Sequence, residues 1–583
     1  MTAATRRPSP EALISLVLLA AVCGAFGRAL QAGFVFWDDD VEIYANPHLK
    51  GITPETLRWM FFGTGYVVRY QPLTWLTWEL VYEVFGRNPM GYHLASLLFH
   101  CMNTGLVFLL IRKLMLLIQT EKLSDAKRNY LLVCAGLGTL FWAIHPLRVE
   151  AVAWASAFLH CQALFFLLIA ALCYLEAASR PASDRWRKLL YWISVGSFAA
   201  SLLSYPIGLG FVLIVIVLDF YPLKRLPGSW RDTAARRVWL EKLPFVGVAG
   251  LVLGITLLLR FNTSGHWPRP VSLGEFGVLA RTMQALYIWA YYFWRPWYPV
   301  DLTPYYTTLL TVVPTEPRFL FSAALVIGLT AWLALRRRKW PGPLALWLCH
   351  LILLVPVLGL TEQPHFPSDR YSFIVGITWS VLLTAGLMKY GQLARLRLVS
   401  AGAAVVILCG LGTLSYQQTG IWQNSVVLHQ HMIRLLGNHP RRLWPYLRLG
   451  NVYMEQGNDE QAAECFRRVL EIDPASQEGN WYLATALHRQ GKLEEAITRY
   501  RRALSLNPDN FRAHNNLGLA LAKQGKMDEA VAQWLEAVRI EPGRVNVHRN
   551  LARALTELGR IDEAKQQEVE AARLELQQNK EAQ

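Results

Sequence analysis

The stretch LGNVYMEQG, residues 449–457, recurs in related form three more times toward the end of the chain, at a fixed spacing of 34 residues. The other copies are LATALHRQG (483–491), LGLALAKQG (517–525) and LARALTELG (551–559). A proline before each unit and an alanine within it keep the same spacing: Pro440, Pro474, Pro508, Pro542, Ala462, Ala496, Ala530 and Ala564. A period of this length indicates a repeated helix pair, in which small residues allow close packing and proline ends each unit.

This pattern is that of the tetratricopeptide repeat. It predicts a repeat region over residues 443–576, divided into 443–476, 477–510, 511–544 and 545–576, after a linker at 421–442. Such an array stacks into a superhelix with a concave face. We therefore predict a module that holds a protein or peptide partner.

Residues 1–420 have a different character and predict a polytopic membrane domain. The whole chain is 53% hydrophobic and only 17% charged. In this part the apolar residues form runs of roughly 18–25 residues, the length that crosses a bilayer. The formal net charge of +16 sits in short Arg and Lys clusters between these runs, which is the pattern of cytoplasmic loops. We therefore attribute the charge to membrane topology and expect no nucleic-acid partner.

The basic clusters predict about eleven crossings. One further apolar segment, 279–298, is rich in Trp and Tyr and is followed by Pro299 and Pro304, so we interpret it as re-entrant or interfacial. Residues 32–91 then form the first outer loop. An odd number of crossings places the repeats on the same, non-cytoplasmic side. The predicted fold class is all-α, with a membrane helical domain followed by a repeat superhelix.

The first outer loop opens with FVFWDDDVEIYANP, residues 34–47. Neighbouring carboxylates repel one another, which raises the pKa of one of them. A carboxylate with a raised pKa suits a general base that deprotonates a hydroxyl acceptor. Asp38 and Asp39 are therefore the candidate catalytic residues. A carboxylate cluster can also hold Mg²⁺ or Mn²⁺, but the sequence assigns no metal and leaves the cofactor unknown.

Other polar residues are predicted to gather on the same face. Arginine binds phosphate bidentately, so the candidate phosphate-binding residues are Arg370, Arg69 and Arg148. Four supporting residues at the same face are His145, Glu150, His93 and Tyr371. Their convergence on one face is what makes them functional candidates, because each alone is as well explained as an interfacial anchor.

Four phrases in order carry a family resemblance: FVFWDDDVEIYANPHLKGIT from residue 34, YQPLTWLTWELVYEVFGRNPMGYHLASLLFHCMN from residue 70, LFWAIHPLRVEAVAWAS from residue 140, and DRYSF from residue 369. Together with the repeats, they resemble the transmembrane and tetratricopeptide repeat-containing mannosyltransferases and their bacterial relatives. Those proteins are similar to the GT-C class of multi-span glycosyltransferases. The resemblance implies a polyprenyl-phosphate sugar donor and a protein or glycan hydroxyl acceptor. It also implies a bacterial inner membrane location with periplasmic repeats.

The resemblance implies that Asp38 and Asp39 match the family's acidic pair, and that His145, Glu150 and Arg370 match its outer-face positions. The chain departs from the family pattern at two places. After EAVAW it carries Phe158 and His160 where relatives are charged, and it carries Tyr205-Pro206 in place of a charged turn. Both departures remove charge near the expected carrier phosphate.

Two other functions are compatible with the sequence. A membrane scaffold would display the repeats for assembly of an envelope complex without catalysis. A transporter or flippase is the third alternative. It is disfavoured because charges deep in the spans and an inverted repeat are not evident in the sequence.

Overall fold

The computed structural model of the chain describes residues 9–63, 70–119, 123–226, 232–262, 271–361, 364–390 and 394–582. Across these ranges the regular structure is helical and includes no strand, which confirms the all-α prediction. The chain forms two compact units, Met1–Asn424 and Ser425–Gln583. The boundary falls inside the predicted linker 421–442, most of which is itself helical.

The first unit contains the α-helices α1 to α16. In chain order they are Pro10–Phe26, Pro54–Phe62, Pro72–Phe85, Pro89–Ile118, Asp125–Ala143, Val149–Ala153, Phe158–Ser179, Arg185–Ser204, Phe211–Phe220, Thr233–Leu240, Leu243–Asn262, Val278–Trp294, Pro317–Leu335, Pro341–Leu354, Ser372–Tyr390 and Ala394–Thr419. Proline often starts them because its missing N–H is not needed in the first turn. At α4, for example, Pro89 follows Asn88, whose side chain caps the helix by accepting from Met90 N.

Within the described residues, six helices are long and apolar enough to cross a membrane, or seven if α5 and α6 count as one bent span. The prediction of a polytopic membrane domain is confirmed. The predicted number of crossings, about eleven, is larger than the number of helices in the described residues that meet this length and hydropathy criterion. Two of the predicted crossings fall on helices that are too short: α9 has 10 residues and α14 has 14. Another predicted crossing, α8, begins with the charged residues RWRK. The segment predicted to be re-entrant or interfacial, α12, has 17 residues.

Two helices are broken by proline at positions that matter for the site. α8 ends at Ser204, and Tyr205-Pro206 leads into a short 3₁₀ turn before α9. α5 ends before His145-Pro146, and the chain bends by 58° into α6. Proline cannot continue the helical hydrogen bonds, so each break leaves irregular backbone at a helix end. These ends carry the polar side chains described below.

The second unit contains α17, Ser425–Leu436, and then four helix pairs, α18 to α25. The pairs are Leu443–Glu455 with Asp459–Ile472, Gln477–Arg489 with Leu493–Leu506, Phe511–Lys523 with Met527–Ile540, and Val545–Glu557 with Ile561–Ala582. The repeated alanines Ala462, Ala496, Ala530 and Ala564 are all buried in one continuous core. A Cβ on Gly518 would lie 2.7 Å from the Trp534 ring, so the small residue lets the two helices touch.

The core of the repeats predicts a matched pair of stability effects. Trp534 is 3% exposed, whereas its neighbour Leu535 is 47% exposed. Truncating a buried Trp removes transfer free energy and leaves a cavity, so we expect Trp534→Ala to lower the free energy of unfolding by about 3–5 kcal/mol. Leu535→Ala should change it by about 0.5 kcal/mol or less.

The measurement is urea unfolding of the fragment 425–583, followed by circular dichroism. We expect the fragment to unfold cooperatively, since each repeat packs mainly on its neighbours. Equal losses from the two substitutions, or a fragment without helical structure, would contradict the independence of this unit.

Candidate active site

Hydrogen bonds to the side chain of Asp39 join the first loop to the turn that follows α6. That side chain is fully buried. Oδ2 accepts a hydrogen bond from Val35 N at 2.9 Å, and Oδ1 accepts from Ser156 N at 2.9 Å and from Ser156 Oγ at 2.5 Å. One carboxylate thus joins two segments 117 residues apart in the chain.

Burial raises the pKa of Asp39 from 3.8 to about 7. The hydrogen bonds from Ser156 and Val35 oppose this rise, and the charge of Asp38 adds to it. From the sequence, we expect repulsion between neighbouring carboxylates to raise the pKa of one of them. At Asp39 this repulsion contributes, but the removal of the carboxylate from water is the larger cause.

Asp38, the next residue back, is half-buried and lies within electrostatic range of Arg370. The two neighbouring aspartates therefore have different surroundings. Asp39 is turned into the protein and its oxygens are engaged by backbone and hydroxyl donors, whereas Asp38 retains exposed surface. Of the two, Asp38 is the more exposed to a bound molecule.

Arg370 is held by Glu150. Its Nη1 donates to Glu150 Oε1, and its backbone N donates to Glu150 Oε2 at 3.0 Å. The guanidinium also lies 5.2 Å from the centre of the Trp154 ring and 5.1 Å from that of Tyr371, as in cation–π contacts. We call Asp38, Asp39, Glu150, Ser156 and Arg370 the acid–arginine cluster.

The rest of the first loop folds onto α3 through buried acceptors. Glu42 accepts from Gln71 Nε2 at 3.1 Å, and Glu79 Oε2 accepts from Gly51 N at 2.8 Å. Burial raises the pKa of Glu79, against the lowering effect of the Gly51 and Lys50 hydrogen bonds. These contacts are structural, and they hold the loop on which Asp38 is carried.

Arg148 and His145 lie behind the cluster in the protein interior. Arg148 is fully buried and donates from Nη1 to Ser372 O at 2.5 Å, at the start of α15. Its guanidinium fits so closely against Gly376 that a Cβ there would lie 2.6 Å from Nη2. His145 Nε2 lies 2.9 Å from Pro296 O, and its Nδ1 accepts from Leu147 N at 3.2 Å.

Of the other candidates, His93 is buried on α4 beside the backbone of Gly33, and Tyr371 flanks Arg370. Arg69 lies outside the described residues. The structure therefore brings together Asp38, Asp39, Glu150, Arg370 and Tyr371. Arg148, His145 and His93 are instead buried in the protein, where they support the surrounding structure.

Four residues near the cluster were not singled out as site residues from the sequence. Ser156 carries no motif, so its contact with Asp39 could not be read from the chain. Asp369 accepts from Tyr306 Oη at 2.8 Å, and that hydroxyl in turn accepts from Arg295 Nη2 at 3.1 Å. The only signal for this network is the aromatic composition of residues 291–306.

The two departures from the family pattern meet beside Arg370. The rings of His160 and Tyr205 lie 4.8 Å apart, and Tyr205 is within electrostatic range of the Arg370 guanidinium. An aromatic pair thus occupies the place at which the family resemblance implies charged residues in relatives.

An apolar groove of about 560 Å³ begins directly below the cluster. Its walls come from α4, α7, α9, α14 and α15. Leu164 and Ile374 line it one helical turn after His160 and Arg370, and Phe211 lines it just after the Tyr205-Pro206 break. The groove therefore begins about one helical turn from the cluster and extends to Lys339, just before α14, and Lys389, near the end of α15.

No group of three or more His, Cys, Asp or Glu side chains is arranged to hold a metal ion in the described part of the chain. The three oxygen-directed donors on Asp39 occupy the sites where a cation would bind that carboxylate. The geometry supports a site built on an acid and an arginine.

The fold and cluster define a membrane protein with a polar site at its helix ends and a tetratricopeptide repeat module. Models described as TPR repeat or tetratricopeptide repeat match residues 447–503, 486–525, 511–544 and 545–567. Similar proteins confirm the predicted resemblance to the transmembrane and tetratricopeptide repeat-containing mannosyltransferases. Protein O-mannosyl-transferase Tmtc1 of Drosophila melanogaster is 36% identical over 162 residues, 25% of this chain and 17% of its own.

Protein O-mannosyl-transferase TMTC1 of Homo sapiens is 24% identical over 511 residues, which cover 79% of this chain and 55% of the human protein. The mouse protein O-mannosyl-transferase TMTC3 is 22% identical and covers 79% of this chain and 51% of its own length. The chain spans about half the length of these two relatives. Among solved structures, that of MamA is 25% identical with a TM-score of 0.25, covering 27% of this chain and 90% of MamA.

The raised pKa of Asp39 predicts a pH-dependent stability. The folded state binds this proton more tightly than the unfolded chain, so the resulting stabilisation is complete below about pH 3.8 and is lost as the pH rises through about 7. We expect the melting temperature of the wild type to fall between pH 5.5 and 8 relative to that of Asp39→Asn, whose amide does not titrate.

The measurement is thermal unfolding of the detergent-purified full chain across this range. Asp125→Asn, which changes an exposed carboxylate at the start of α5, should keep the wild-type slope. The assignment would be wrong if wild type and Asp39→Asn lost stability in parallel.

Proposed function

We propose that this chain is a membrane glycosyltransferase. It transfers a sugar from a polyprenyl-phosphate carrier to a hydroxyl group of a protein or glycan on the non-cytoplasmic side. The observation that carries the proposal is a half-buried carboxylate, Asp38, within electrostatic range of an arginine, Arg370, together with an apolar groove that begins one helical turn from Arg370. The names of the relatives support a glycosyltransferase role and make mannose the first sugar to test.

In the proposed reaction Asp38 is the general base. The acceptor hydroxyl oxygen attacks the anomeric carbon of the donor sugar, and its proton passes to the Asp38 carboxylate. The bond between the anomeric carbon and the phosphate oxygen breaks, and its electron pair remains on the phosphate. Asp39 acts as a positioning residue, because its bonds to Ser156 hold the backbone that carries Asp38.

Arg370 is proposed to stabilise the charge that develops on the leaving phosphate. A guanidinium has five N–H donors, and the Glu150 side-chain contact engages Nη1. Glu150 thus orients the guanidinium while other donors remain for a phosphate. Arg148 supports the same turn through Ser372 and is not proposed to touch the donor.

The apolar groove is proposed to hold the carrier chain. Its lining is mainly aliphatic and aromatic, with Lys339 and Lys389 as the charged members, and it begins one helical turn from Arg370. The carrier chain comes from the bilayer core, which is as apolar as this lining, so the groove would hold the chain through packing contacts. A phosphate at the cluster and a polyprenyl chain in the groove would occupy one continuous site, with His160 and Tyr205 flanking the junction.

The side of the membrane is proposed from the basic clusters. Arg112-Lys113 lie in the last two turns of α4, Arg180 to Lys188 run from the end of α7 into the first turn of α8, and Arg336 to Lys339 follow α13. Because α7 begins next to Ser156, its basic end lies opposite the acid–arginine cluster. The first unit also ends beside the cluster, since Gly33 N donates to Gln423 O at 2.9 Å and Trp154 stacks on Trp422. We propose that the chain leaves the bacterial inner membrane on the periplasmic side, where the repeats would bind the protein acceptor or a partner.

The catalytic proposal predicts different kinetic effects for three variants. Asp38→Asn keeps the size of the side chain and removes the base, so turnover should fall by about 10²–10⁴. Arg370→Lys keeps the charge but loses the planar donor fork, so kcat should fall because the charge that develops on the leaving phosphate is less well stabilised, and the KM for the donor should rise as well. Asp40→Asn serves as the matched control and should affect turnover least.

The assay is transfer from polyprenyl-phosphate mannose, and then from other polyprenyl-phosphate sugars, in reconstituted membranes. Unchanged turnover in Asp38→Asn would refute the base assignment. If the wild type transfers none of these sugars to any hydroxyl acceptor, the scaffold alternative replaces the transferase.

The topology proposal predicts that a reporter active only in the cytoplasm stays silent when fused after residue 583. A second fusion, placed after Arg338 in the basic cluster 336–339, should give strong signal and serves as the control. Strong signal from the first fusion would place the repeats in the cytoplasm and overturn the proposed sidedness.

A further inference from the structure

A second polar cavity, of about 250 Å³, lies where α7 ends and α8 begins. Its lining includes Ala178 of α7, which is 18 residues beyond His160 along the helix. At 1.5 Å per residue this separates it from the acid–arginine cluster by about 27 Å. The proposed transfer reaction makes no use of this cavity, which we call the α7–α8 cavity.

A buried ion pair forms the framework behind the cavity. Asp219 is fully buried and accepts from Tyr174 Oη at 2.6 Å. Lys242 Nζ lies 2.5 Å from Asp219 Oδ2 and also donates to Tyr174 Oη. Since Lys242 is itself only 3% exposed, these two opposite charges neutralise each other inside the protein. The framework is therefore rigid and adds no net charge to the cavity.

The cations that line the cavity are held in place from this framework. Arg225 reaches from Asp219, at 3.1 Å, to Glu241, and Glu241 also pairs with Arg187 at 3.1 Å. Lys188 completes the lining and is exposed. Three cations thus face one carboxylate, Glu241, which leaves an excess of two positive charges.

Among the ion pairs of the described residues, those that adjoin the cavity do not cancel this excess. Lys113 and Arg180 pair with Glu176, at 2.7 Å and 3.0 Å, and Arg180 also pairs with Asp184 at 2.8 Å. This adjoining group contains two cations and two carboxylates, so it is neutral. The excess charge is therefore available to a ligand, and a ligand that suits it is an anion.

The surroundings indicate which anion. Ala177, Ala178 and Ala182 give the cavity a small, apolar floor. Trp186 and Trp192, on either side of Lys188 in α8, are 48% and 59% exposed. Exposed Trp beside Lys and Arg at the end of a membrane helix is typical of the lipid headgroup region. At the depth of the lipid headgroups, the anions in contact with the protein are phosphates attached to acyl chains.

We propose that the α7–α8 cavity binds the phosphate headgroup of an anionic phospholipid. Arg187, Lys188 and Arg225 contact the phosphate, and the alanine floor accommodates the adjoining glycerol. The bound lipid would brace the end of α7 and the start of α8 against the Asp219 framework, which already joins α7, α9 and the residue before α11. This inference stands on the cavity alone and does not depend on the proposed transferase activity.

The test uses Lys188→Ala, because Lys188 lines the cavity without taking part in the Glu241 and Asp219 ion pairs described above. Full-length protein in detergent is titrated with phosphatidylglycerol or phosphatidylcholine, and bound lipid is counted by native mass spectrometry. We expect the wild type to bind phosphatidylglycerol more tightly, and Lys188→Ala to weaken that binding roughly fivefold. Arg337→Ala, an exposed cation away from the cavity, should leave it unchanged.

A second arm separates a lipid headgroup from free phosphate. Inorganic phosphate and phosphatidylglycerol are each added to the wild type and Lys188→Ala, and the melting temperature is followed. We expect only the lipid to raise it, and to do so less in Lys188→Ala. A lysine-dependent rise with inorganic phosphate alone would replace the lipid by a soluble anion. Equal lipid binding by wild type and Lys188→Ala, or equal losses in Arg337→Ala, would overturn the site.

Discussion

The contact between Asp39 and Ser156 is the constraint on which the candidate site depends. Three donors converge on one buried carboxylate, and two of them come from the turn after α6. Burying a carboxylate is costly unless it is hydrogen-bonded, so this group favours a single arrangement of the first loop. That arrangement places Asp38 within electrostatic range of Arg370, which is held by Glu150. The proposed catalytic geometry and the folding of the loop thus rest on adjacent residues, Asp38 and Asp39, that have different roles.

The site lies at the helix ends because the bilayer core does not tolerate exposed polar groups. In a bilayer, irregular backbone and charged side chains are tolerated only where protein or water surrounds them. The proline breaks at Pro146 and Pro206 supply such backbone, and the charged residues of the acid–arginine cluster collect beside them. Below that level the facing walls are apolar, which leaves a groove for hydrocarbon. A lipid-carried donor would meet both environments at once, with its charge at the cluster and its chain in the groove.

The sequence predicts the repeats well because their signal is periodic. Leu449 and its equivalents recur every 34 residues, and the structure places a helix pair at each repeat. The membrane part is less predictable, since apolarity alone does not show where a helix ends. The acid–arginine cluster is predictable only in outline: the chain marks Asp38, Asp39, Glu150 and Arg370 as candidates. It does not show that Asp39 faces inward, because this depends on Ser156, a residue 117 positions away without a motif.

The same physics explains why the two ends of α7 suit different ligands. At its start, Arg370 is matched by Glu150 and lies within electrostatic range of Asp38, so the cluster carries no excess positive charge and suits a reaction that transfers a proton and releases a phosphate. Near its end, the buried Asp219 and Lys242 cancel, and the cations in front of them outnumber the carboxylate. A paired arginine can orient and release a product, whereas an excess of cations retains an anion. Turnover requires release, while bracing requires retention, and the charge balance at each end agrees with the role proposed for it.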